Sequence, residues 1–239
     1  MSVRFGRPHI HHETTDSTNE RARELAIDGA DSGTVVTASS QTAGRGRQGR
    51  RWVAPPDSAL LYSAILRPLD LRHLLLPLAA PVAVCEACEA VGGGDCRIKW
   101  PNDIWVDERK LGGILIEARP PEWAVIGVGV NVAIDDDEFP DDLRWPATSL
   151  GGRATPNKLR KAVDRELGRW VEAGAEKVLE AFAARDALRG RPIAWEGGPD
   201  RLDRRGTAEG IDEKGNLIVR GEDGTTTALG SGEVHLRLL

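Results

Sequence analysis

Between residues 97 and 132 three β-type runs follow one another with little chain between them. Residues 97–106 and 111–118 flank the polar turn Asp107-Glu-Arg-Lys110, and residues 123–132 make the third run. This spacing is a hairpin signature, so the chain must build around a sheet with antiparallel neighbours. The third run carries Gly127 and Gly129 in alternation with valine. Glycines so placed are expected where a ligand or another backbone passes close to a strand.

The rest of the chain supplies elements to cover that sheet. Ser17 and Glu20 have capping-box spacing, Leu25 and Ala26 are apolar, and Gly29 suits an exit, which predicts a helix over 17–29. Residues 34–38 read as a short strand entering the polar loop 41–52, and residues 60–66 as a buried strand closed by Arg67-Pro68. Residues 71–91 are helical in pattern. Pro77 suits a first turn but Pro81 removes a backbone hydrogen bond, so the expectation is a kink or a helix that starts near Pro81. Thr155-Pro156 is an N-cap pair, with helical periodicity to about residue 188 and a break at Gly174. From Gly190 the texture turns to Gly, Thr and short β runs at 193–195, 216–219 and 233–236. The expected division is residues 1–189 and a small β domain at 190–239, of limited stability without its neighbour.

Composition excludes several classes. Of 239 residues 40% are apolar and 29% charged, as in an ordinary soluble domain. The net charge of -5 argues against a general nucleic-acid coat. No run reaches the ~18 consecutive apolar residues of a membrane span, and the N-terminus lacks the apolar core of a secretory signal. Three cysteines are too few for a disulfide scaffold, which points to a reducing, cytoplasmic setting.

Two segments carry chemistry. GRGRQGR (44–50) with Arg51 and Trp52 places four arginines in seven residues, spaced by glycines. Guanidinium forks match phosphate and carboxylate oxygens. Such a self-repelling loop is expected to be mobile until an anion arrives, with Trp52 offering a flat surface to an aromatic ring; a solvated basic loop is the plain alternative. The second segment, KWPNDIWVDERKLGGILIEA (99–118), sets Lys99 before a turn and Lys110 beside Gly112 and Gly113. Two ammonium groups near a glycine-lined strand suit a carboxylate and a phosphate side by side; snorkelling surface lysines are the alternative. There is no GxxxxGK[ST] loop and no dinucleotide fingerprint. Cys85-Glu-Ala-Cys88 falls in the apolar helical run and reads as core, His9, His11 and His12 as strand or tail residues, and the acidic run 135–142 as a solvated loop.

DSTN (16–19), QTAGRGRQGRRW (41–52), KWPNDIWVDERKLGGILIE (99–117), GVGVN (127–131) and SGEV (231–234) occur in that order. Together they closely resemble biotin protein ligase over nearly the whole chain, with GRGRxGRxW and KWPND the specific part. The resemblance implies an α+β fold: a mixed β-sheet with flanking helices, related to class II aminoacyl-tRNA synthetases, plus a small C-terminal barrel of the Src-homology-3 type. It implies an ATP-dependent ligase that makes biotinyl-5′-AMP and transfers biotin to a lysine of a biotin carboxyl carrier protein, with Mg2+ accompanying ATP.

Carried over onto this sequence, the resemblance makes Arg47 and Lys110 the residues on the reacting carboxylate and phosphate, with Arg45 and Lys99 assisting. Ser17, Thr18, Asn19, Gln41, Arg45, Gly46 and Gly113 fall on the biotin side. Trp52, Asn102 and Asn131 fall on the adenine side. Asp103 reads equally as an indirect Mg2+ ligand or a turn residue, and Ser17 as a biotin partner or a helix cap. Only 15 residues precede Asp16, so no DNA-binding domain, and hence no DNA partner, is expected. A membrane partner is not expected either, and a homodimer stays open. A non-catalytic biotin-binding relative and a lipoate ligase are the competing readings.

Overall fold

The computed structural model describes residues 3–141, 143–196, 203–231 and 235–238. Gly232, Glu233 and Val234 of the SGEV motif and Asp142 of the acidic run lie outside the described residues. β1 (His9–Thr15), α1 (Thr18–Ile27) and β2 (Val35–Gln41) open the chain, and the two strands pair in parallel across the helix. β3 (Ala59–Leu66), β4 (Arg97–Lys99), β5 (Asp103–Val106), β6 (Arg109–Arg119) and β7 (Trp123–Asn131) complete a mixed seven-stranded sheet ordered β1-β2-β3-β7-β6-β5-β4. All its pairings except β1–β2 are antiparallel.

β3 and β7 occupy the centre, and their unbroken apolar runs are buried on both faces. Alternation sorts their side chains. Val36, Ile65 and Val125 pack with Ala22 and Ala26 of α1 on one face. Val35, Ala64, Leu66, Ala124 and Ile126 join the larger core on the other. That core is roofed by α2 (Leu76–Ala90) and α3 (Pro156–Trp170), with α4 (Ala175–Arg185) against α2. Thr155 caps α3 by accepting from the Lys158 amide, and Gly174 breaks the helical run before α4.

Two local expectations are corrected. α2 starts at Leu76, not Pro81, and runs through Pro81. A short 3-10 turn at Leu71–Leu75, closed by a reciprocal Asp70–His73 capping box, delivers the chain into the helix. Pro77 then lies in the first turn, where its missing amide costs nothing, and Pro81 forfeits one bond. The stretch Leu71–Ala90 is apolar and long enough by composition to cross a membrane, but two thirds of it is buried in the protein. In addition, residues 97–106 are two strands. β4 and β5 form their own hairpin around Trp100, Pro101 and Asn102, and β5 meets β6 through a two-residue turn with positive φ at Asp107 (47°) and Glu108 (60°). Those angles match the right-handed strand twist, as a type I′ turn requires.

β8 (Pro192–Glu196), β9 (Asp203–Ile211), β10 (Leu217–Gly221), β11 (Thr226–Leu229) and β12 (His235–Leu238) form a second, antiparallel sheet ordered β11-β10-β9-β8-β12. Its first and last strands are neighbours; among the described residues β11 does not pair with β12 to close a barrel. The sheet is fastened where the site will be. Trp100, 1% exposed in the β4–β5 turn, donates its indole N–H to the Gly215 carbonyl at 3.0 Å, and Leu78 of α2 lies against Gly215. The three cysteines are free and buried in the large core. Trp100→Phe keeps an aromatic ring but removes the indole N–H from the Gly215 carbonyl and empties part of a buried site. Urea unfolding should therefore show a stability loss of about 1–3 kcal/mol or more.

Candidate active site

The N-terminus of α1, the end of β2 and the glycine face of β7 enclose one end of a cavity of about 390 Å3, within the usual range for small-molecule sites. Gly127 and Gly129 are required there. A Cβ at Gly127 would stand 2.0 Å from Asn19 Oδ1, and one at Gly129 2.6 Å from the Trp52 ring. The strand carries no side chains at these points because Asn19 and Trp52 occupy the space.

Around Asn19 runs a closed polar network. Asn19 donates to Glu117 Oε2 at 2.9 Å, and its Oδ1 accepts from Ser63 Oγ at 2.6 Å. Ser63, fully buried on β3, also lies 2.9 Å from Thr18 Oγ1. Thr18 gives both its amide (2.7 Å) and its hydroxyl (3.1 Å) to Gln41 Oε1. Gln41 therefore satisfies the first helical amide, and the capping-box expectation for Ser17 is corrected: its hydroxyl makes no cap bond. Ser17 is only 3% exposed and lines the cavity. The buried cavity-lining group without a partner is the Trp52 indole N–H, which is costly to leave unmade unless a ligand supplies an acceptor.

The arginine loop adopts a hydrogen-bonded conformation. Gly46 N donates to Arg50 O at 2.7 Å and Trp52 N to Gly44 O at 3.0 Å, bracketing a tip with positive φ at Gln48 and Gly49. Opposite charge and carbonyl dipoles relieve the repulsion. Arg45 pairs with Glu20 (3.2 Å) and Glu117 (2.9 Å), and Arg51 donates to Thr42 O at 2.9 Å. Arg47 reaches Asn102 Oδ1 at 3.4 Å and the Ser231 carbonyl of the C-terminal sheet. Burial pulls its guanidinium below the ordinary value, while Asp103 opposes the shift. A desolvated cation of this kind gains more from an arriving anion than an exposed one would.

Lys110 projects from β6 and pairs with Asp103 Oδ1 at 2.8 Å, with the Trp52 ring 5.9 Å away. Gly113 leaves room beside its ammonium. Asn102 and Asn131 spend their NH2 groups on the Ile114 and Thr148 carbonyls, at 3.1 and 2.9 Å. Ser17, Thr18, Asn19, Gln41, Arg45, Gly46, Arg47, Trp52, Asn102, Asp103, Lys110, Gly113 and Asn131 all line this one cavity. Lys99 is the exception. It is buried outside the lining, its Nζ over the rings of Trp145 (4.8 Å) and Trp105 (5.8 Å), and burial pushes its ammonium down to about 8. Lys99 was expected on the reacting groups; in this structure its ammonium faces the two indoles.

Sequence reasoning missed Ser63, which is an ordinary strand residue by pattern. It also missed the wall formed by Phe139, Pro140, Leu143, Arg144, Trp145 and Ala147, where Trp145 was the available signal. Asp103 is the carboxylate in the cavity lining, and it is already paired with Lys110. No group of three His, Cys, Asp or Glu suited to a metal occurs among the described residues, so the donor set fits an ion carried chiefly by nucleotide phosphates. His9 and His11 both bond Thr37.

Residues 12–131 match the Biotin/lipoate A/B protein ligase family, and residues 190–237 match the Biotin protein ligase C terminal domain. A Bifunctional ligase/repressor BirA of Bacillus spizizenii is 41% identical over 164 residues, which cover 66% of this chain and 50% of that protein. The chain thus spans about half the length of that relative. The Biotin--[acetyl-CoA-carboxylase] ligase of Mycobacterium tuberculosis is 35% identical over 93% of this chain and 87% of its own. Among solved structures, the biotin protein ligase of Aquifex aeolicus in complex with biotin and ATP superposes with a TM-score of 0.81 at 28% identity, covering 97% of this chain and 99% of that one.

Gly127→Ala forces Asn19 off Ser63 and Glu117, so it should lower the urea midpoint by an amount equivalent to roughly 1–3 kcal/mol. An unchanged midpoint would show that the network yields without cost.

Proposed function

The chain belongs to the biotin/lipoate A/B protein ligase family, and from that premise we propose that it is a biotin protein ligase. It joins biotin to ATP as biotinyl-5′-AMP, and then passes the biotinyl group to a lysine of a biotin carboxyl carrier domain of a biotin-dependent carboxylase. The observation that carries this reading is the cavity itself. Ser17, Thr18 and Gln41 at one end and two asparagines with the unpaired Trp52 indole N–H at the other share one space with Arg47 and Lys110.

In the first step a biotin carboxylate oxygen attacks the α-phosphorus and pyrophosphate leaves. Both reagents are anions. Arg47 and Lys110 hold them together and compensate charge as it builds on the phosphate, and the buried site makes that compensation stronger than in water. Asp103 keeps the Lys110 ammonium aimed, at 2.8 Å. Ser17, Thr18 and Gln41 receive the ureido ring, and Trp52 with Asn102 and Asn131 receives adenine. Mg2+ accompanying ATP would screen the departing pyrophosphate. In the second step the acceptor amine attacks the anhydride carbonyl and AMP leaves. We place these events in the cytoplasm, in keeping with three unpaired cysteines.

The relative from Mycobacterium tuberculosis is named for ligation alone and the Bacillus relative for ligation and repression. Our reading is ligation without repression, and a mobility shift of the chain's own promoter region with biotin and ATP present should show no complex. Lipoate is the second reading, because the matched family includes lipoate ligases by name; the biotin-specific C-terminal match argues against it.

Pyrophosphate release should require ATP and biotin together and should not respond to lipoate in place of biotin. Release without biotin dependence would remove the assignment. Arg47→Ala should slow adenylate formation more than tenfold, or more than about 1.4 kcal/mol on the barrier. Near-normal turnover would remove its electrostatic role.

A further inference from the structure

Lys99 presents an anomaly. An ammonium that is 95% removed from solvent costs several kcal/mol unless something replaces water around it. Among the described residues no carboxylate reaches ion-pair distance of it; Asp103, its register partner across the β4–β5 hairpin, acts only at longer range. What surrounds the charge is aromatic. Trp145 and Trp105 present rings at 4.8 and 5.8 Å, both within the ~6 Å over which a ring face attracts a cation. The two indoles lie 5.5 Å apart and tilted by 59°, forming a corner around the ammonium.

The two rings differ in standing. Trp105 is 2% exposed on β5. Trp145 belongs to the long connection between β7 and α3 and lines the cavity. The backbone beside it is tied to β6: Lys110 N donates to Pro146 O at 2.7 Å, and Thr148 N donates to Lys110 O at 2.9 Å. Those bonds fix where Trp145 starts and leave the direction of its ring undetermined. The ring itself meets Trp105 and the Lys99 ammonium. Arg144 also lies over the Trp145 ring, at 5.7 Å, but an exposed guanidinium contributes less than a desolvated ammonium.

We propose that Lys99 is a positioning residue: its ammonium holds the Trp145 ring in place as an aromatic wall on the nucleotide side of the cavity, and it touches no reacting atom. The function of that wall rests on the ligase reading; the contact itself does not. The same motif thus divides its two lysines. Lys110 faces the substrates, and Lys99 stands behind the wall.

The test compares wild type with Lys99→Met, Lys99→Arg, Trp145→Leu and the Lys99→Met/Trp145→Leu double variant in steady-state pyrophosphate release. Lys99→Met should raise the KM for ATP five- to tenfold, leaving kcat within twofold and the KM for biotin unchanged. Lys99→Arg, which keeps a cation over the rings, should restore the ATP KM to within twofold. In the Trp145→Leu background Lys99→Met should add nothing. A kcat loss above tenfold with an unaltered ATP KM would put Lys99 on the reacting atoms and overturn the proposal; so would losses that multiply in the double variant. Lys99→Gln replaces Lys99→Met if the latter does not fold.

A readout independent of catalysis is the Trp145 share of tryptophan emission, taken by difference from Trp145→Phe. It should change in Lys99→Met and persist in Lys99→Arg, and an unchanged emission in Lys99→Met would refute the contact. A wild type that releases no pyrophosphate would sink the ligase reading, and the emission comparison would still decide this one.

Discussion

Positive charge concentrated in one cleft of a net-negative chain is the constraint on which this structure depends. Arg45, Arg47, Arg50, Arg51 and Lys110 line a single cavity, and left alone they would push one another into solvent. Each is answered differently. Arg45 has two carboxylates, Arg50 and Arg51 neutral oxygens of the loop, and Lys110 the buried carboxylate of Asp103. Arg47 has only neutral oxygens from Asn102 and Ser231. Arg50 and Arg51 also meet only neutral oxygens but are exposed. Arg47 is half-buried and desolvated, so it is the guanidinium of this group with the most to gain from an anion. The carboxylates Glu20 and Glu117 hold the loop down by its first arginine and leave the second available.

Glu117 connects this charge balance to recognition. One carboxylate receives both Asn19 of α1 and Arg45 of the loop. Asn19 in turn touches Ser63, Thr18 touches Ser63 and Gln41, and Gln41 begins the loop. These bonds make a continuous path from the polar end of the cavity to the loop, and the buried ones at Ser63 are costly to leave unmade. Gly127 permits it, since the space a methyl group would take is filled by Asn19.

The sheet was legible because its strands are written as apolar alternation and its close approaches as Gly127 and Gly129. The helix breaks at Gly174 and before Thr155 were legible for the same reason: caps act over three or four residues. What escaped the sequence depends on distance. Gln41, 23 positions away, takes the Thr18 amide at the start of the helix, while Ser17 makes no cap bond. The order of the arginine loop depends on Glu20 and Glu117, and neither lies within it. α2 could begin before Pro81 because the 3-10 turn at Leu71–Leu75 aligned the chain first. Lys99 is the sharpest case: motif spacing places it four residues from Asp103 and among cations, yet the β4–β5 hairpin turns it toward Trp105 and Trp145.

The second sheet follows from the same logic of distance. A domain of about 50 residues buries too little surface to be firmly stable by itself, and here its contacts fall on the site. Trp100 of the KWPND turn bonds Gly215, and Arg47 of the loop bonds Ser231. These two segments, specific in sequence, each reach across to one turn of the C-terminal sheet. The sheet therefore completes the shell of the cavity: Ser231 supplies the carbonyl that desolvated Arg47 needs when no anion is present. Losing that carbonyl would leave Arg47 with one weak acceptor at 3.4 Å, and the loop would lose the fixed cation on which the joining of two anions depends.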